Sequence, residues 1–249
     1  MRYFTKDWYN DTVLAEMCFQ VKHSSKAAKF NEKYFQSLYN AQKNWFVKNE
    51  KRTAKYTGTA FDEAASEAKF EASFKENLEY VTTKLPSDIL ANVADVRLLA
   101  IGTATYDVTQ AIVRFCGQVN RRCEEIKSDY DEENEKIAER IGWYKVNTLN
   151  FITNAQIISA HKNGDDFVIT TSPEYTGISC EVTLKNAKVS RCDDQVVGSA
   201  PLFIELLPTE NENELELNLL CSNENGKSCE FSAIAEDIEI VELENNPIM

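Results

Sequence analysis

The chain has 249 residues, of which 43% are hydrophobic and 27% charged, with 8 glycines and 5 prolines. These proportions are typical of a globular protein with a buried core, and they exclude collagen-like, low-complexity and disordered designs. The formal net charge is −13 at pH 7. No run of 18 apolar residues occurs, and the first residues lack the apolar segment of a signal peptide, so we expect a cytoplasmic protein that does not span a membrane.

Hydrophobic residues recur every three or four positions in the N-terminal part, which predicts a bundle of about five helices. Thr5 is a suitable N-cap for the first helix, and Ser24 or Ser25 for the second. Residues 49–58 carry basic side chains and interrupt the pattern, and the third helix follows them. We expect the fourth helix, over residues 87–101, to lie at the centre of the bundle because it is the most apolar.

The fifth helix is predicted over residues 105–141, about 55 Å at 1.5 Å per residue. Its apolar positions are spaced by three, four or seven residues, and this stripe would allow pairing with a second copy. An oligomeric scaffold is therefore one interpretation of the chain. The second half of the helix is rich in acidic residues, and we expect it to protrude or to pack weakly.

From about residue 155 the hydrophobic period changes from 3.6 to 2, which predicts six short antiparallel strands that close as a small barrel or sandwich. Helices followed by strands indicate the α+β class. We therefore expect a helical domain over residues 1–154 and an acidic antiparallel β-domain over residues 155–249. The alternation is clearest in residues 180–184, 202–206, 215–219, 231–235 and 238–240.

Negative charge is concentrated in the strand-forming part. Residues 1–159 hold 22 basic and 22 acidic side chains, whereas residues 160–249 hold 5 basic and 18 acidic ones. A surface of that sign repels phosphate, so we expect no nucleic acid or anionic membrane as a partner of this part. The same sign suits a basic protein partner.

Five segments of the chain together suggest a family. They are Met1-Arg2-Tyr3-Phe4-Thr5-Lys6-Asp7-Trp8-Tyr9, Tyr34-Phe35-Gln36-Ser37-Leu38-Tyr39, Ile89-Leu90-Ala91-Asn92-Val93-Ala94-Asp95-Val96-Arg97, Val182-Thr183-Leu184-Lys185-Asn186-Ala187 and Ala235-Glu236-Asp237-Ile238-Glu239-Ile240. These segments resemble a bacterial protein family, domain of unknown function family 4085. The similarity covers most of the chain in the same order, and the opening segment is the most specific. The resemblance implies a bacterial cytoplasmic protein and assigns no activity, cofactor or site residue. The chain differs from the expected family pattern at residues 199–202, where bulkier aromatic residues are expected.

The chain contains no phosphate-binding glycine loop, no nucleophile elbow and no His-Glu-x-x-His zinc motif. Only 2 histidines occur, and the 7 cysteines form no CxxC pair. We therefore expect no cofactor and no metal, and we interpret the cysteines as reduced, buried filler. An enzyme would depend on carboxylates and tyrosines in a groove between the helical and strand-forming parts, and the catalytic residues of that alternative stay unknown.

Two pairs of adjacent acidic residues are the candidates for a partner surface. Asp193 and Asp194 follow a predicted strand, and Glu236 and Asp237 lie where the alternation changes parity, which indicates a bulge or a corner. Together with the charge distribution, these pairs predict a non-enzymatic interaction module, similar in kind to an immunity protein or an antitoxin that neutralises a basic toxin.

Overall fold

The computed structural model describes residues 1–153, 155–172 and 179–243, except for the side chains of Cys18 and Phe19. Across these ranges the protein is α+β, with seven α-helices followed by antiparallel strands in two sheets. The chain divides into a helical unit, residues 12–121, and a mixed unit, residues 1–11 and 122–249. This division falls within a helix, before the change of pattern at residue 155, and the predicted domains 1–154 and 155–249 stay a prediction.

Two predicted features of the helical unit are wrong. The basic segment 49–58 does not interrupt the helices, since α2 continues to Thr57 and ends at Gly58, whose φ of 72° is left-handed. The predicted fourth helix is two short helices, because the Asp95 side chain accepts the amide of Arg97 at 3.0 Å and starts a new helix there. The helices are α1 (Lys6–Ala15), α2 (Glu32–Thr57), α3 (Glu63–Lys84), α4 (Ser87–Leu90), α5 (Val96–Ala100), α6 (Tyr106–Ile141) and α7 (Trp143–Phe151).

A short parallel strand pair connects the segment between α1 and α2 with the segment between α5 and α6. Its strands are β1 (Lys22–His23) and β2 (Thr103–Ala104), and Gly102 precedes the second. Gly102 has a φ of 73°, and a Cβ there would lie 2.5 Å from the carbonyl oxygen of Gln20. Only glycine fits this close backbone approach. Neither this pair nor α7 is among the elements predicted from the sequence.

The strands of the mixed unit form two four-stranded antiparallel sheets, with the orders β10-β5-β4-β3 and β6-β9-β8-β7. The chain passes between the sheets after β5 and again after β9, and the parity change at Glu236 falls at the second of these passages. The predicted count of six strands is therefore too low over the described residues, and a barrel or sandwich form stays a prediction. The strands are β3 (Gln156–Asn163), β4 (Asp166–Ser172), β5 (Ser179–Lys185), β6 (Lys188–Cys192), β7 (Ala200–Pro208), β8 (Leu215–Ser222), β9 (Ser228–Ala235) and β10 (Asp237–Leu243).

One apolar core joins both sheets to α7 and to the last turns of α6. Phe167 of one sheet contacts Phe231 of the other, with ring centroids 5.2 Å apart. Ile137 and Ala138 of α6 are buried in the same core. The second half of α6 therefore packs firmly, and the expectation that it protrudes or packs weakly is wrong, because its apolar residues face the sheets while its acidic residues face outward.

The N-terminal segment is fastened to β7 by a buried carboxylate. Glu205 is fully buried and accepts the backbone amides of Arg2, Tyr3 and Phe4 at 2.8, 2.7 and 2.5 Å. The side-chain amide of Asn218 on β8 donates to the same carboxylate at 3.3 Å. Hydrogen bonds to a charged acceptor are about twice as strong as neutral ones, so this cluster offsets much of the cost of burying the charge.

Aromatic rings complete the attachment of the N-terminal segment. The ring of Phe4 lies 4.6 Å from that of Tyr130 on α6 and 4.7 Å from that of Trp8. The Tyr130 hydroxyl donates to the carbonyl of Ile204 and accepts the amide of Leu206, both at 3.3 Å. Burial raises the pKa of Tyr130 to about 12, so the hydroxyl stays protonated and can make both bonds.

We predict that Glu205→Gln lowers the free energy of unfolding by about 3 kcal/mol, because the new amide group would point a donor at backbone donors. Urea denaturation followed by circular dichroism measures the change. The control is Glu224→Gln in the exposed β8–β9 turn, which should change stability by less than about 0.5 kcal/mol. Equal stability of the two variants would show that the carboxylate is not a structural anchor.

Candidate functional site

Four turns of the mixed unit lie at one end of its two sheets. The registers place the last residue of β5 beside the first residue of β10, and the last residue of β7 beside the first residue of β8. The amide of Ala187 donates to the carbonyl of Asp165 at 2.8 Å. The amide of Glu236 donates to the carbonyl of Lys185 at 2.9 Å. We call this region the acidic end, and it comprises residues 163–166, 185–188, 209–214 and 236–237.

Part of the negative charge at the acidic end is neutralised within the chain. The ammonium group of Lys185 lies 3.1 Å from the Asp166 carboxylate and 2.9 Å from that of Glu239. Lys188 pairs with Glu214 at 2.8 Å. The amide of Asn186 and the ammonium of Lys185 lower the pKa of Asp166 by hydrogen bonding, so its carboxylate stays ionised. These pairs order the turns and leave their carboxylates with little attraction for a further cation.

A cavity of about 400 Å³ opens between the acidic end and the junction of α6 and α7. The guanidinium of Arg140 donates to the carbonyl oxygens of Glu212 and Glu214 at 2.6 and 2.8 Å, which fixes the β7–β8 loop over the cavity. The formal charge of the lining is −1, since three carboxylates face two cations. The lining residues are Arg140, Ile141, Lys145, Glu212, Asn213, Glu236 and Asp237.

Lys145 and Asp237 form the ion pair inside this cavity, with nitrogen-to-oxygen distances of 2.9 and 3.1 Å. Burial alone would raise the pKa of Asp237, but hydrogen bonds from Lys145 and from the amide of Ile238 outweigh it, and the pKa is lowered. Asp237 is therefore ionised and engaged at neutral pH. It positions the β9–β10 turn more than it offers charge to a ligand.

Two carboxylates of the cavity keep their charge available. Glu212 and Glu236 are exposed, and within the described part of the chain neither has a cation at ion-pair distance. The side-chain amide of Asn186 donates to Glu236 at 2.6 Å and holds this carboxylate in place. An ordered carboxylate beside a second one is an arrangement that binds ammonium or guanidinium groups.

The four predicted partner-surface residues do not lie together. Glu236 and Asp237 belong to the acidic end, whereas Asp193 and Asp194 follow the far end of β6, beside Glu230 of β9. The five residues of β6 span about 16 Å between these places. Only the first pair lines the cavity.

Asp193 is occupied by its own neighbours. Both of its carboxylate oxygens lie 3.1 Å from the guanidinium of Arg191, and one accepts the amide of Glu230 at 2.9 Å. The guanidinium and this amide lower the pKa of Asp193. Asp194 is exposed. The former is thus a turn anchor, and the latter offers a single carboxylate at the surface.

Neither Arg140 nor Lys145 is among the site residues predicted from the sequence. Arg140 and Lys145 lie on either side of Gly142, which has a φ of 93° and separates α6 from α7. That glycine is the one signal that could have placed a helix boundary there. Nothing in the local pattern connects this boundary with turns 70 or more residues later.

Five of the six cysteines whose side chains are described are buried, but Cys192 is exposed, so the expectation of buried filler is wrong for this residue. Partial burial and the carboxylates of Asp193 and Asp194 raise the pKa of the Cys192 thiol, which does not favour the reactive thiolate.

Cys221 and Cys229 are buried opposite each other on β8 and β9, and burial raises the pKa of Cys221 to about 12. Among the described residues, no group of three or more His, Cys, Asp or Glu is arranged to hold a metal ion. The side chain of Cys18 lies outside the described part.

Comparisons with known proteins give no relative from which a role could be transferred: no family model, curated protein or solved structure matches the chain. The resemblance to domain of unknown function family 4085 stays an expectation. None of the described helices is sufficiently long and apolar to cross a membrane.

We predict that Lys145→Met raises the pKa of Asp237, because it removes the hydrogen bond that outweighs burial. Carboxyl carbon NMR titration of labelled protein measures this pKa. Since the folded-state pKa is lowered, the contribution of Asp237 to stability is present above its unfolded pKa and is lost as the pH falls through the folded value. That acid-dependent contribution should shrink in the variant.

The matched control is Lys162→Met, which removes an exposed lysine of the same unit and should leave the pKa of Asp237 unchanged. An equal shift in both variants would mean that the overall charge of the unit, and not the ion pair with Lys145, lowers the pKa.

Proposed function

We propose that this chain is a non-enzymatic interaction module that binds a basic protein partner through the acidic end. The observation that carries the proposal is the cavity whose lining has a formal charge of −1 and which contains two exposed carboxylates, Glu212 and Glu236, that no described cation approaches to ion-pair distance. A lysine or arginine side chain of the partner would supply the missing positive charge.

Internal hydrogen bonds support a binding role because they order the loop that carries Glu212 and the carboxylate of Glu236. Arg140 holds the loop that carries Glu212, and Asn186 holds the carboxylate of Glu236. A group that is ordered before binding loses little conformational entropy on binding. A guanidinium ion can donate to two carboxylates in one plane, so we expect arginine to bind more tightly than lysine.

The surplus of acidic residues beyond the cavity supports fast association. The described part of residues 160–249 holds many more carboxylates than cations, and such a field accelerates encounter with a positively charged partner. A bacterial cytoplasmic protein that neutralises a basic toxin, in the manner of an immunity protein or antitoxin, is the kind of role that these properties fit. The enzyme alternative and the scaffold alternative through residues 105–141 stay predictions.

We predict that Glu212→Gln together with Glu236→Gln weakens binding of a fluorescein-labelled peptide with six arginines about tenfold, since each exposed charge pair contributes up to about 1 kcal/mol. Fluorescence anisotropy with the full chain at 50 and 200 mM salt measures the affinity, which should fall as salt rises. A matching peptide with six lysines should bind less tightly.

The control variant is Asp194→Asn together with Glu224→Gln, which removes the same charge outside the acidic end. It should bind the peptide nearly as tightly as the unchanged protein. If both variants lose the same affinity, only net charge matters and the acidic end is not the site. No binding at 50 mM salt would also contradict the proposal.

A further inference from the structure

The outer face of α2 carries three cations that no described acidic residue neutralises. Lys48, Arg52 and Lys55 are exposed and follow one another at spacings of four and three residues, so they lie along one side of the helix. Among the described residues, none of the three has an ion-pair partner. Seven residues of helix place the first and last about 10 Å apart along the axis.

Neighbouring charges of α2 make contacts of their own. The ammonium of Lys51 lies over the ring of Phe61, 5.7 Å from its centroid. Lys43 pairs with Glu67 and Glu71 of α3 at 2.8 and 3.3 Å. Glu50, the acidic residue of this stretch, pairs with Lys69 at 3.2 Å. The positive charge of the outer face is therefore not cancelled by the glutamate that the sequence places within it.

Two aromatic side chains border the cations and lack burial. Trp45 is 67% exposed and Tyr56 is 93% exposed. The other rings of α2 pack inward: Phe46 lies 5.7 Å from Phe70 of α3, and Tyr39 lies 5.2 Å from the same ring. The exposed rings of Trp45 and Tyr56 differ from these core rings because they contribute little to the packing of the helices.

An open recess of about 750 Å³ lies along the same face. Its lining combines cations, a ring and short polar groups, and contains no carboxylate. The lining residues are Asn49, Arg52, Thr53, Lys55 and Tyr56.

We propose that this face of α2 binds single-stranded nucleic acid. The three cations would contact successive phosphates, and the rings of Trp45 and Tyr56 would stack on bases that a single strand leaves open. The side-chain amide of Asn49 adds a donor and an acceptor for a base edge. The positive charge of the three lysine and arginine side chains and the two exposed rings together point to this ligand.

Two other polyanions fit the face less well. An acidic protein surface would satisfy the cations but supplies no flat group for both rings. An anionic membrane would favour a face with several large aliphatic residues beside the cations, whereas Asn49 and Thr53 occupy these places. The strong negative charge belongs to residues 160–249, which are not part of the helical unit.

Fluorescence anisotropy with a labelled twelve-nucleotide poly-dT probe and the full chain tests the proposal. We expect binding at 50 mM salt that weakens about 20-fold at 200 mM, since three phosphate contacts in a single strand give a slope of about −2 in log affinity against log salt. The triple variant Lys48→Gln, Arg52→Gln and Lys55→Gln should abolish it. The control Lys29→Gln, Lys33→Gln and Lys84→Gln removes the same charge elsewhere in the helical unit and should keep it.

The aromatic part of the proposal has its own test. Tyr56→Ala should weaken binding about tenfold, whereas Tyr56→Phe, which keeps the ring, should leave it unchanged; neither exposed substitution should alter the fold, which circular dichroism checks. The proposal is overturned if the poly-dT probe does not bind, if both triple variants bind equally, or if Tyr56→Ala has no effect. Equal or tighter binding to a duplex of the same length, or to vesicles with 30% phosphatidylserine, would also overturn it.

Discussion

The carboxylate of Glu205 is the constraint on which the mixed unit depends. It is fully buried, and the amides of three consecutive residues of the N-terminal segment converge on it. A buried charge without such donors would cost several kcal/mol, so the segment and the carboxylate need each other. The attachment brings Phe4 against Tyr130, and Tyr130 in turn bonds to the backbone of β7. The acidic half of α6 is thereby held on the sheets.

A packed α6 also explains why the acidic end can be a site. Arg140 lies in the last turn of α6, and its guanidinium holds the β7–β8 loop by two carbonyl oxygens. Lys145 of α7 holds the β9–β10 turn through Asp237. Charged side chains without several buried donors stay in water, so the acidic residues of these turns collect at the surface. The helix ends then order that charge.

Local patterns were sufficient for the elements whose burial alternates or repeats regularly. Cys180, Val182 and Leu184 alternate with more polar residues, and they lie on β5 with these three side chains buried and their neighbours partly exposed. The predicted fifth helix begins one residue before the observed α6 and ends with it at Ile141. The change from helices to antiparallel strands is confirmed for the same reason: hydrophobic periodicity reports directly on secondary structure.

Contacts between distant residues could not be predicted in this way. Glu205 belongs to an apolar strand, but its amide donors lie more than 200 residues earlier. Nothing near Glu205 in the sequence therefore indicates that its carboxylate has buried hydrogen-bond donors. The side chain of Asp95 accepts the amide of Arg97 and thereby starts α5 as a separate helix. The spacing of apolar residues contains no information on this hydrogen bond. The prediction that Asp193 and Glu236 belong to one surface has the same weakness. The sequence places both residues in turns, but only the strand order shows where on the sheets each turn lies.

Net charge is a poor guide to the ligands of this chain, because internal ion pairs decide which charges remain available. The ion pair with Arg191 neutralises the charge of Asp193, and the ion pair with Lys69 neutralises the charge of Glu50 beside the α2 face. Among the described residues, the charges that remain available include the carboxylates of Glu212 and Glu236 in one unit and a row of three cations beside two exposed rings in the other. Ligand binding at both proposed sites should weaken as the salt concentration rises. Only the affinity of the α2 face should still depend on an uncharged side chain, since base stacking persists when charges are screened. Loss of the ring at Tyr56 therefore separates nucleic acid recognition from simple attraction of opposite charges, and it leaves the acidic end untouched.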